Sequence, residues 1–200
     1  MSDVRVALTF DAEHWDAPST PAAQDRILDA LEAAGVRAAF FIQGRWARAY
    51  PVVARRIVDA GHLVGSHSHH HAPMSLLTDD GIRRDLEEAE EAITETAGVD
   101  PRPWFRCPFG DGHDDPRVVG ALERAGYRDQ HWDVDPCDWR PDSSPEQVRQ
   151  EVLEGARAHG DGAVVLLHTW PPATCEALPA ILEQLAAGGP RPVRLDEMAA

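Results

Sequence analysis

Short apolar runs and amphipathic stretches alternate along this chain about seven times, and no other feature restricts its fold as much. "VRVALTF" (residues 4–10) reads as a buried strand, and "PAAQDRILDALEAAG" as the helix that follows, with Pro21 near its start and Gly35 as its stop. "VRAAFFI" (36–42) is a second strand, followed by a helix through Val52, Val53, Ile57 and Gly61. "LVGS" (63–66) is a short third strand, and Ile82, Leu86, Ala89, Ile93 and Ala97 form one helical stripe over 78–97. A brief strand at Trp104 and Phe105 precedes a helix over 116–125, and a strand over 127–134 precedes a helix from Pro145 to His159. "AVVLL" (163–167) is the most strand-like run; a helix through Leu178, Ile181, Leu182 and Leu185 follows, with "RPVRL" as a possible last strand.

Alternation of this kind points to a parallel sheet with its helices outside. A complete eight-fold barrel needs about 250 residues, so at 200 residues the expected fold is α/β, a small distorted (β/α)7-type barrel spanning 1–200 as one domain. An open doubly wound sheet is the competitor, but no glycine-rich nucleotide fingerprint follows the first strand.

The reactive side chains share one address. Asp11 and Glu13 follow the first strand, "GSHSHHHAP" the third, "FRCPFGDG" the fourth, "DVDPCDW" the fifth and "LLHTW" the sixth. Each cluster lies just past the carboxyl end of a strand, where such sheets build active sites. Asp11 and Glu13 share a face of an extended chain while Ala12 points away. His67 and His71 are the only cluster pair at i, i+4, one turn apart on a helical segment, with His69 and His70 turned elsewhere. Two imidazoles, one carboxylate and an open position make a hydrolytic metal arrangement. Arg106 can pair with Asp11, and the acids near Asp138 can orient His168 and raise its pKa, as a general acid requires.

Composition limits the partners. The formal charge is −15 and all 19 basic residues are arginine, which disfavours nucleic acid and anionic membranes and excludes lysine Schiff-base chemistry. A neutral or cationic substrate fits better. No apolar run approaches the roughly 18 residues of a membrane helix, and no signal-peptide pattern follows Met1, so a cytoplasmic location is expected. Cys107, Cys137 and Cys175 cannot all pair, and free thiols that stand by are the expectation.

With these residues in view, the chain resembles the polysaccharide deacetylases of the NodB type, carbohydrate esterase family 4. Thr9, Phe10 and Asp11 match the family's Thr-Phe-Asp-Asp opening, with Ala12 in place of the second Asp. His67, Ser68 and His71 match His-Ser/Thr-x-x-His; Arg106, Pro108 and Gly110 match Arg-x-Pro-x-Gly. Asp135, Asp138 and Trp139 match Asp-x-x-Asp-Trp, and Leu166 and His168 match Leu-x-His. The resemblance implies Asp11 as general base, His67 and His71 as metal ligands, Arg106 fixing Asp11, Asp138 tuning His168, and His168 as the acid that protonates the leaving amine. It also implies that the Phe109 backbone N–H stabilises the oxyanion, and that the cofactor is a divalent metal, zinc foremost, with cobalt or nickel as alternatives.

The departure at Ala12 suggests a division of labour in which Asp11 stays the base and Glu13 reaches back as the third ligand. Phe109 stands where many members have Tyr. Trp15, Trp139 and Trp170 could ring the mouth as stacking faces for sugar, and with Pro108 and Gly110 they are the substrate-binding candidates; His14, Asp16, His69 and His70 could line the site. The expected activity is metal-dependent hydrolysis of an N-acetyl amide on an amino sugar or glycan. The alternatives are a related amidohydrolase acting on a cyclic imide, ureide or small acylated metabolite, and a dead binding module. The oligomeric state is not legible.

Overall fold

A computed structural model describes residues 4–13 and 21–199 of the chain, and in it the alternation becomes a parallel sheet wrapped by helices. The strands are β1 (Arg5–Ala12), β2 (Ala39–Ile42), β3 (Leu63–Ser66), β4 (Trp104–Phe105), β5 (Arg128–Asp129), β6 (Ala163–His168) and β7 (Arg191–Pro192). Between them run α1 (Pro21–Ala34), α2 (Gly44–Ala49), α3 (Pro51–Asp59), α4 (Asp79–Ala97), α5 (Pro116–Arg124), α6 (Pro145–His159) and α7 (Pro172–Ala186). The pairings are parallel in the spatial order β5-β4-β3-β2-β1-β6, with β7 beside the start of β1. The segment that begins with β5 then makes a parallel bridge from Val134 to Val165 of β6. That bridge closes the sheet on itself as the small, distorted barrel expected from the alternation.

The period of two along each strand sorts its side chains between the barrel interior and the layer beneath the helices. On β1, Val6, Leu8, Phe10 and Ala12 pack outward with Ile27, Leu28 and Leu31 of α1 and Leu178, Ile181 and Leu182 of α7. Ala7 faces the barrel interior with Ala39, Phe41, Trp104, Val164 and Leu195. Level with Asp11 in the register, a small residue makes room for large ones. A Cβ added to Gly65 would stand 2.8 Å from Phe41 Cδ1 and 2.9 Å from Trp104 Cβ.

The helices end where local chemistry stops them. Thr78 accepts the Gly81 N–H at the start of α4, and Gly98 ends it at φ +74°, a conformation that costs glycine little. Ser144 and Gln147 form a reciprocal capping box on α6. A cap contributes about 1 kcal/mol, whereas burying one Leu or Ile contributes about 1.5–3 kcal/mol. The buried stripe Ile82, Leu86, Ala89, Ile93 and Ala97 therefore fixes where α4 sits, and the caps set its ends.

Three elements depart from the sequence expectation. The helix through Val52, Val53 and Ile57 is preceded by a separate short one, α2, because Tyr50 stands before Pro51 and is forced out of helical geometry (φ −128°, ψ 55°). The second strand begins only at Ala39. The strand over 127–134 shrinks to Arg128–Asp129 plus the single bridge at Val134. No helix among the described residues is long and apolar enough to cross a membrane.

Candidate active site

The interior row of β1 ends in acids. Past Ala7 and Thr9 it presents Asp11 and then Glu13, both buried, at the C-terminal mouth of the barrel. The parallel register sets Asp11 beside His168, the last residue of β6. The same alternation continues Leu166, His168 and Trp170 along the neighbouring wall, and all three line one cavity of about 400 Å³ with Asp11 and Glu13.

The loop after β3 delivers the histidines, though not on a helical segment. Ser68 (φ 61°) and His71 (φ 57°) are left-handed, and the Ser68 hydroxyl accepts the His71 N–H at 2.8 Å. This tight turn, rather than a helical i, i+4 spacing, brings His67 Nε2 and His71 Nε2 to 3.2 Å. Asp85 of α4 accepts the backbone N–H groups of His69 and His70 at 2.9 and 3.0 Å, and neither histidine reaches the cavity. His14 and Asp16 lie outside the described residues.

One oxygen of Glu13, Oε2, faces both imidazoles: it is 3.3 Å from His67 Nε2 and pairs directly with His71 Nε2. The three donor atoms lie within 4.8 Å of one another. His67 Nδ1 must donate to the Arg106 carbonyl, 2.9 Å away, so Nε2 keeps its lone pair directed inward. Burial alone would depress His67, but the Asp11 and Glu13 carboxylates and the Arg106 carbonyl outweigh it and raise its pKa. Two nitrogens and a carboxylate aimed at one point form a set that a borderline divalent cation fits. In a second group Glu88 Oε2 stands 3.9 Å from both His69 Nε2 and His70 Nδ1, and His70 and Glu88 are exposed.

Two buried pairs, Arg106 with Asp11 and His168 with Asp138, flank this set. Arg106, fully buried after β4, donates from Nη1 to Asp11 Oδ1 at 2.8 Å and from Nε to the Gln130 carbonyl at 2.9 Å. Its guanidinium lies 4.1 Å from the Phe41 ring centroid. The other oxygen of Asp11 comes 3.5 Å from His67 Nε2. On the opposite side, Asp138 takes the His168 backbone N–H at 2.8 Å, His168 Nδ1 at 2.7 Å and the Thr174 hydroxyl at 2.5 Å. Burial again pulls His168 down, and the Asp138 carboxylate, with Glu13 and Asp11 behind it, overcomes this and raises its pKa from 6.5 to about 9. His168 is thus protonated at neutral pH.

Phe109, Trp132, Asp135 and Trp139 complete the wall. Phe109 is left-handed (φ 59°) and two-thirds exposed, with its ring against His71 at 4.5 Å. Among the described residues its N–H has no hydrogen-bond acceptor. Pro108 and Gly110, expected to touch substrate, are absent from the wall: Pro108 is buried, and Gly110 turns against His131 and Trp132. Trp15 lies outside the described residues. Burial pushes the Cys107 thiol up, and Asp129 adds to this, so it stands by as an unreactive side chain. Trp132 and Thr174 escaped the sequence reading. Trp132 could have been suspected from "QHWDVD" after the fifth strand, whereas Thr174 carries no local signal. Among the described residues, all four non-glycine residues at positive φ (Ser68, His71, Phe109 and Cys137) lie in the loops around this cavity, where backbone strain concentrates at functional sites.

The family model of the polysaccharide deacetylases matches residues 1–129. The chain belongs to that family. The peptidoglycan-N-acetylglucosamine deacetylase of Bacillus cereus is 32% identical over 197 residues, covering 96% of this chain and 67% of that protein. A family 4 carbohydrate esterase from Streptomyces lividans, solved with acetate, superposes at a TM-score of 0.82 with 31% identity, covering 96% of this chain and 92% of that one. A family 4 pseudoenzyme from Bacillus anthracis superposes at 0.86 with 30% identity, covering 100% of this chain and 66% of that one. The chain spans about half the length of another curated relative that it matches (49%). Because a pseudoenzyme shares the deacetylase fold, what this member does has to be argued from its side chains.

Proposed function

We propose that this chain is a divalent-metal-dependent deacetylase that hydrolyses the N-acetyl amide of an amino sugar. The observation that supports this most is the pair of opposed proton carriers, Asp11–Arg106 and His168–Asp138, on either side of Glu13, His67 and His71 in one cavity. The chemistry that a divalent cation, zinc foremost and cobalt or nickel next, supplies in such a site is Lewis acidity, polarising a carbonyl and lowering the pKa of water to about 7.

The chain's own groups do the rest. Asp11, oriented by Arg106, takes a proton from the water that attacks the acetyl carbon. The Phe109 N–H faces the negative charge that grows on the carbonyl oxygen, and one such donor commonly contributes about 3 kcal/mol. His168 gives its Nε2 proton to the departing nitrogen, while Asp138 holds Nδ1 and keeps the ring in the orientation and charge state that transfer needs. Acetate and the free amino sugar leave, the proton on Asp11 returns to solvent, and His168 is recharged. Phe109, Trp132, Trp139 and Trp170 offer apolar faces to a sugar ring. A net charge of −15 favours a neutral substrate and a product that carries a new positive charge.

The test is acetate release from N-acetylglucosamine oligomers by tag-free protein before and after chelation. Release that stops with chelator and resumes with zinc or cobalt is the expected result. No release from folded, zinc-loaded protein would discard the sugar assignment and turn the search to cyclic imides and small acylated metabolites.

A further inference from the structure

Glu13 does more than replace an aspartate, because it brings a second oxygen that must be placed. Oε2 faces the histidines; Oε1 accepts the indole N–H of Trp170 at 3.3 Å and lies 3.8 Å from His168 Nε2. This contact follows from the register. Asp11 is paired with His168, so two residues further along both parallel chains, Glu13 stands beside Trp170 on the same inward face. The sequences "DAE" and "HTW" are thus one matched pair of i, i+2 patterns: base beside acid, then carboxylate beside indole.

We propose that Trp170 is a positioning residue for Glu13, its indole N–H holding Oε1 so that Oε2 alone is presented to the His67 and His71 side. This rests on the reading of Glu13, His67 and His71 as ligands of a divalent cation. Glutamate has one more rotatable bond than aspartate, and a buried carboxylate with an unmet oxygen is costly. A neutral donor on Oε1 removes both problems. It also offers Oε1 a partner other than the His168 proton, which leaves Nε2 available to the leaving group. A tryptophan serving only as cavity wall needs no N–H, and that difference separates the two roles.

The experiment measures the zinc dissociation constant by competition with a chromophoric chelator for wild type, Trp170→Phe, Glu13→Asp and the double variant, with Trp139→Phe as control for loss of a wall tryptophan. Circular dichroism and thermal unfolding establish that each variant is folded. Trp170→Phe keeps the ring and loses the N–H, and should weaken zinc binding roughly 10- to 100-fold, as is usual when a group holding a ligand is removed. Trp139→Phe should leave zinc binding unchanged. In the Glu13→Asp background the shorter carboxylate no longer reaches the indole, so adding Trp170→Phe should change nothing further. Wild-type affinity in Trp170→Phe, or the same loss in both backgrounds, overturns the proposal and leaves the ligand reading intact. Failure of the wild type to bind zinc overturns the ligand reading and the proposal with it.

Discussion

His62 precedes β3 at the end of the barrel away from the cavity, and acid should reach it before it reaches most of the fold. The residue is 7% exposed, its Nδ1 accepts the Ala38 N–H at 3.1 Å, and its ring packs on Phe40 at 5.1 Å. Burial, then the charges of Arg37, Arg194 and Arg56, lower its pKa from 6.5 to about 4. A proton would therefore bind the unfolded chain near 6.5 and the folded one only near 4. The stability tied to neutral His62 is complete above about pH 6.5 and is lost as the pH falls towards 4. At 1.36 kcal/mol per pKa unit the limit is about 3.4 kcal/mol, of which about 2 kcal/mol is gone by pH 5. In His62→Gln the side chain can still accept the Ala38 N–H but cannot titrate. Urea unfolding at pH 7 and pH 5 should show wild type losing about 2 kcal/mol more than the variant over that interval. Parallel losses would refute the reasoning. The comparison matters for the chemistry too, since an acid limb of activity that disappears in the Gln variant reports unfolding and not protonation of the site.

Asp11→Asn should lower kcat by a factor on the order of 10² to 10⁴ while zinc still binds; loss of zinc together with activity would assign Asp11 to the ligand set instead. Asp138→Asn removes the largest contribution that raises His168, so the alkaline limb of kcat/KM should move to lower pH, and an unmoved limb would show that His168 is not the acid. Gly65→Ala should cost about 1–3 kcal/mol through overpacking and should also lower kcat, because the Phe41 ring it displaces supports the Arg106 guanidinium. Calorimetry and steady-state assays read both effects, and a neutral Ala variant would mean that the barrel interior is slacker than its contacts indicate.

What could be read from the sequence was what period and order encode. The stripe on α4 and the runs that became β1 and β6 needed only local periodicity, and the address of the reactive groups followed from chain order alone. What could not be read depended on contacts between distant residues or on single backbone angles. The left-handed turn at Ser68 and His71 brings the histidines together where a helix was expected, and nothing in "HSHHH" distinguishes the two. Thr174 binds Asp138 from 36 residues away across a helix start, so no local pattern announces it. β5 is short because its segment leaves β4 for β6 after two residues, a matter of closure and not of propensity.

That crossing has a consequence for what such a barrel can recognise. Residues 128–134 are fastened beside β4 at one end by the N–H groups of Arg128 and Gln130, and to β6 at the other, where Asp133 and Val134 donate to the Val164 carbonyl, Asp133 Oδ2 accepts the Val164 N–H and the Val134 carbonyl accepts the Leu166 N–H. Glu13, His67, His71 and His168 are carried by β1, by the loop after β3 and by β6, none of them by this seam. Trp132 sits within it and Asp135 just beyond, both on the cavity wall. Exchanging the side chains at 131 and 132 therefore reshapes the cavity wall while the bonds that tie this seam to its neighbours, Gln130 to Arg106 and Asp133 to Val164 among them, stay in place.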